Sequence, residues 1–133
     1  MALAVPLVVF AGGATKRQPP PTFAFGRSGG NIIPFTVTIG KDGRVATSGP
    51  VHVTATGAPL SLPLRNGLAK LAQAEGFSSG SALVACKGVN PDIAGRFITV
   101  TARGKTHTVT ARGTCYPAFE ELYAVLSAAV GAS

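Results

Sequence analysis

Apolar and polar residues alternate along much of the chain. Phe35, Val37 and Ile39 are separated by Thr36 and Thr38, the period of two expected of a strand with one buried face. Phe23 and Phe25 alternate with small residues and predict a shorter strand before it. Lys41-Asp42-Gly43-Arg44 predicts a tight hairpin, because Asp-Gly tolerates positive φ at both central positions. The returning strand is Val45 to about Ser48, broken at Gly49-Pro50. Val51, Val53 and Ala55 then alternate with His52, Thr54 and Thr56, which predicts a further strand. The apolar run Ser81–Ala85 predicts another.

A short repeat follows. Val100-Thr101-Ala102-Arg103-Gly104 recurs nine residues later as Val109-Thr110-Ala111-Arg112-Gly113. Two copies read as the two strands of one hairpin. For the apolar faces to coincide, paired residue numbers must have an odd sum. That requires a two- or four-residue loop within Arg103 to Thr106, unless a bulge intervenes. Thr99, Thr101, Thr106, Thr108 and Thr110 then share the other face.

Two segments carry helical spacing. Ser61 is placed to cap a helix with Pro63 in its first turn. Leu64, Leu68 and Leu71 fall on its expected buried face, and Gly76 on its left-handed end. Pro117 suits the first turn of a second helix, with Glu120 and Glu121 at the positive end of its dipole. Phe119, Leu122, Leu126, Ala129 and Val130 make its buried stripe. The order β-β-β-(β)-α-β-β-β-α predicts an α+β fold. We expect an antiparallel sheet of about five to seven strands, with two helices packed on one face and a threonine-rich face towards solvent.

Composition adds a compartment and a charge. Residues 2–14 form an apolar run of signal-peptide core length, ending in small residues and too short to span a bilayer. Thr15 to Pro21 is a polar, proline-rich spacer. The expected organisation is an export segment over 1–14, a linker over 15–21 and a single domain over 22–133, secreted or extracytoplasmic. Lys and Arg number 12 against 5 Asp and Glu, a net charge of +7. Such a charge attracts acidic partners. The basic residues are dispersed and form no stripe interleaved with aromatics, so nucleic acid is not the expected partner. Anionic cell-envelope material or an acidic protein surface is the candidate, and the plainer reading of the charge is solubility.

Two cysteines fit an oxidising compartment. Cys86 and Cys115 both fall at strand ends, where a disulfide can form; the alternative is two separate buried thiols. No cofactor or metal site is expected, since the histidines lack finger spacing and two cysteines do not complete a zinc set. No catalytic residue is expected either. Asp42 and Asp92 lie in turns, Glu120 and Glu121 start a helix, and no Gly-x-Ser-x-Gly elbow is present. The chain therefore reads as a non-enzymatic binding protein.

The loop read over Gly26-Arg27-Ser28-Gly29-Gly30-Asn31 is the candidate contact surface. Three glycines leave its backbone uncovered beside one arginine; the plainer reading is a hairpin connection. Here the sequence resembles a known group. Phe23 to Gly30 is similar to the first strand and Arg-Ser-Gly-Gly turn of emfourin-like proteins, which are protein inhibitors of thermolysin-like zinc metalloproteases. The resemblance spans about residues 22–131, with the Arg-Ser-Gly-Gly match literal and the rest a similarity of layout. It implies an extracellular metalloprotease as partner and a contact through Arg27, Ser28, Gly29, Gly30 and Asn31.

Overall fold

The repeated segment folds as the centre of the sheet. In a computed structural model that describes residues 20–29, 32–55, 57–77, 82–88 and 94–133, it forms β5 (Gly95–Ala102) and β6 (Lys105–Arg112). Ile98 pairs with Val109 and Ala102 with Lys105, the odd-sum register. The two-residue loop Arg103-Gly104 has φ of 55° and 75°, the positive-φ turn that matches strand twist.

Before this hairpin come β1 (Thr22–Ser28), β2 (Phe35–Ile39), β3 (Val45–Ser48), the helix α1 (Leu62–Ala74) and β4 (Ala82–Ala85); after it comes α2 (Pro117–Val130). The sheet order is β3-β2-β1-β5-β6-β4. The fold is α+β, with six strands and two helices on one face among the described residues, as the sequence pattern implies. One pairing differs: β4 runs parallel to β6. The chain enters β4 from the end of α1, which sets its direction opposite to that of a hairpin partner.

The core lies between the sheet and the helices. Phe25, Val37 and Ile98 from the sheet meet Phe119, Leu122 and Leu126 from α2, all fully buried. Phe119 stacks on Tyr123 at 5.7 Å and lies 6.4 Å from Phe77. Among the described residues no helix covers the opposite sheet face. There the hydroxyls of Thr99 and Thr108, and of Thr101 and Thr106, hydrogen-bond across the strands at 2.9 Å.

The helix ends follow the sequence signals. Ser61 Oγ accepts from the Leu64 amide at 3.3 Å, and Gly76 has φ of 86°. Gly131 closes α2 with φ of 66°. The buried face of α1 departs from the expected leucine stripe. Leu64 is 40% exposed, while Arg65 is 7% exposed and buried alongside Leu68 and Ala72. The reason is the hairpin between β2 and β3. Arg65 donates from Nη1 to the Lys41 carbonyl at 2.7 Å and from Nε to the Leu60 carbonyl at 3.2 Å. The leucine spacing could not show that an arginine would satisfy turn carbonyls that α1 would otherwise bury unpaired.

That hairpin is also built differently from the expected Asp-Gly turn. The Gly43 amide donates to the Gly40 carbonyl at 2.9 Å, so Lys41-Asp42 are the central pair. Only Gly43, with φ of 82°, is left-handed. Asp42 Oδ1 accepts from the Arg44 amide at 2.9 Å.

The strand expected over Val51–Thr56 does not join the sheet. Its described residues pair with the chain after α2 instead: the His52 amide donates to the Ser133 carbonyl and the Ser133 amide to the His52 carbonyl, at 3.2 and 2.8 Å. Its alternation was a true sign of one buried face, because Val53 is buried. Its partner is a tail that period-two patterning does not identify.

Cys86 and Cys115 form a disulfide, with Cα atoms 5.7 Å apart. It fastens the end of edge strand β4 to the chain leading into α2. The Cys86 amide also donates to the Arg112 carbonyl at 3.0 Å. Among the described residues no helix is long and apolar enough to cross a membrane. The segment 1–14, most of the 15–21 spacer, Gly30, Asn31 and Asp92 lie outside the described residues.

Candidate functional site

Gly26, Arg27 and Ser28, expected in a loop, belong to β1. Arg27 pairs with Phe35 on one side and Arg96 on the other, and Ser28 with Gly95. The strand extends this far because β2 and β5 both offer backbone partners to its end. Gly26 is needed there for space, since a Cβ would land on the Phe35 carbonyl oxygen. The true tip of the first hairpin begins at Gly29, which is exposed and has φ of 79°.

The strand parity of Arg27 places it on the same sheet face as Phe23 and Phe25, the helix side. It is exposed and has no ion-pair partner among the described residues. Its neighbour Arg96 is fully engaged. Arg96 Nη1 donates to Glu120 Oε1 at 2.8 Å, Nη2 donates to Glu120 Oε2, and Nη2 also reaches the Gly113 carbonyl at 2.9 Å. Its guanidinium carbon sits 5.2 Å from the ring centres of both Phe119 and Tyr123. Such a bidentate, stacked arginine is held rigidly and its charge is neutralised locally.

These residues wall a cleft of about 480 Å³ beside the first hairpin. Phe25, Phe35 and Tyr123 give it an aromatic floor; Arg27, Arg96 and Ser127 stand around it. Tyr123 meets Phe25 edge-on at 5.5 Å. Burial pushes the Tyr123 phenol up, Arg96 and Arg27 pull it back, and Glu120 adds to the rise.

The hairpin tip adds an apolar feature that the glycine loop did not announce. Ile33 is 72% exposed and Ile32 39% exposed, a few residues from Gly29. An exposed isoleucine pair in a strand-to-strand connection was visible as Ile32-Ile33-Pro34, a bulky apolar pair outside any alternating run. Of the five residues expected to bind a partner, Arg27, Ser28 and Gly29 are exposed at one end of β1.

Comparison with family models, with curated proteins and with solved structures found no match to this chain. The chemistry at hand is therefore its own guide. Among the described residues no group of three or more His, Cys, Asp or Glu side chains is placed to hold a metal ion. One carboxyl pair, not expected from the sequence, does occur. Glu75, which caps the end of α1, meets Glu121 near the start of α2. Their hydrogen bond, then burial, then the Glu121 charge raise the Glu75 carboxyl above its ordinary value of 4.5. Glu75 Oε2 itself is shielded and has no hydrogen-bond partner among the described residues. Neither glutamate lines the Arg27 cleft, so the pair joins the helices and stands apart from the candidate site.

The pair makes a prediction about pH. A carboxyl raised on folding stabilises the fold below its unfolded value, and the contribution is lost as pH rises through the folded value. Glu75→Gln is therefore expected to be more stable than the parent at pH 7, with the gap closing below pH 4.5. Melting temperatures of both proteins across pH 3.5 to 7.5 check this; a gap of constant size would contradict it.

Proposed function

We propose that this is a secreted, non-enzymatic binding domain that inhibits a thermolysin-like metalloprotease through the end of its first hairpin. The observation that carries the reading is Arg27, which has no ion-pair partner among the described residues, beside the exposed tip residues Gly29, Ile32 and Ile33. A cleft with an apolar subsite and an acidic rim would take Ile33 as anchor and Arg27 as rim contact. Arg27 sits on a strand paired on both sides. Little order is then lost on association. The resemblance of Phe23–Gly30 to emfourin-like inhibitors supports the same surface, and the disulfide fits an extracytoplasmic site of action.

Titration of the purified domain against thermolysin-like proteases tests the reading. We expect competitive slowing of peptide hydrolysis at micromolar domain. Arg27→Ala and Ile33→Ser are each expected to weaken it by about tenfold, the range of an interface hot spot. No slowing at micromolar concentration would remove the inhibitor reading.

The exposed basic residues Lys70, Arg103 and Lys105 favour a second reading, retention on anionic cell-envelope material. Retention on isolated envelope that falls steeply with added salt is its signature.

A further inference from the structure

At the opposite end of β1 and β5 from Arg27 lies a second cleft, of about 540 Å³. Six residues of β5 separate the two ends, a span of about 20 Å. The cleft opens between the outer face of α1 and the β5–β6 turn. Its floor is apolar, with Phe77, Val100, Ala72 and Ala102 among its lining. Around the mouth stand Lys70 from α1, Arg103 from the turn and Lys105 from β6, and among the described residues no carboxylate lines it.

The turn itself supplies an independent observation. Arg103 has φ of 55° and is the one non-glycine residue with positive φ among those described. That position in a two-residue hairpin favours Asn, Asp or Gly, and a long side chain there is uncommon. A backbone outlier of this kind points towards a role for the side chain. Here the side chain lines the cleft.

We propose that this cleft binds an amphipathic anion, a single carboxylate or phosphate head carried on an apolar body. The head would sit among Lys70, Arg103 and Lys105, and the body on the half-buried Ala69 and Ala102, above the buried Phe77 and Val100. The volume is within the range of small-molecule sites, and an apolar floor with a few convergent polar groups is their usual construction. Charge selects the ligand class, because three cations with no lining carboxylate favour an anion over a neutral amphiphile.

The test uses the full chain with three probes of equal tail length: decanoate, decyl phosphate and neutral decanol. Binding is followed by amide chemical shifts and calorimetry. We expect at least one anionic probe to saturate at micromolar to sub-millimolar concentration, with shifts centred on Phe77, Val100 and Lys105. Which anion binds more tightly identifies the head group. Lys70→Gln combined with Lys105→Gln is expected to weaken binding at least tenfold. Arg103→Asn is expected to weaken it severalfold while leaving the melting temperature unchanged or higher, since Asn relieves the turn. Arg27→Ala, in the other cleft, is expected to bind the probes normally. The proposal is overturned if neither anion saturates, if decanol binds as tightly, if the cationic variants retain full affinity, or if Arg27→Ala abolishes binding. None of these outcomes depends on protease inhibition.

Discussion

Phe119→Ala is expected to cost about 3–5 kcal/mol, the range for truncating a buried phenylalanine. Phe119 is fully buried. It stacks on Tyr123, faces Phe77 and lies under the Arg96 guanidinium. Its loss opens a cavity and removes one of the two rings that hold Arg96. A domain of this size has about 5–15 kcal/mol in total, so about a fifth or more of its stability is at stake. Urea denaturation at pH 7 measures this. The milder Phe119→Leu keeps most of the volume and should cost clearly less. A loss below about 1 kcal/mol for the alanine variant would mean that the site collapses around the gap.

The second large effect concerns the disulfide. Cys86 and Cys115 are 29 residues apart. In the chain-entropy model, closing a loop of that length constrains the unfolded chain by about 3–4 kcal/mol. Replacing both by Ala should therefore lower the melting temperature by roughly 15 °C, taking the usual shift per kcal/mol for small domains. The loss should not be uniform. β4 is an edge strand with one partner, β6, and Leu83 on it is 69% exposed. Little apolar burial holds it. Hydrogen exchange at Leu83, Val84 and Ala85 is expected to accelerate well beyond the change in β5. Equal acceleration everywhere would show that the disulfide acts only on the unfolded state.

Charge, strand pairing and site placement were unequally legible. The repeat at Val100 and Val109 dictated the register of β5 and β6, because one face must be buried and a one-residue slip would expose it. The helix limits at Ser61, Gly76 and Pro117 were local chemistry and hold in the fold. Arg65 was illegible for a physical reason: its burial is supported by carbonyls at Lys41 and Leu60, and the first of these is 24 residues away. The meeting of Glu75 with Glu121 is likewise a product of two helices packing side by side. A sequence can assign each glutamate to a helix end without placing the ends together.

For the candidate site, composition supplied the basic charge, and the Gly-rich stretch marked the end of β1 where the first hairpin turns. It overstated the loop, because Arg27 and Ser28 find backbone partners on β2 and β5 that only assembly of the sheet provides. The sequence by itself determined the α+β class, the element order and most strand faces, since these rest on periodicity and local capping; it offered the cysteine staple as one of two readings. Only the tertiary structure decided that β4 runs parallel at the edge, that residues 51–55 bind the tail after α2, and that two basic-lipped clefts open at opposite ends of the sheet. Those outcomes depend on which distant backbone groups and side chains are left to satisfy one another once the core has closed.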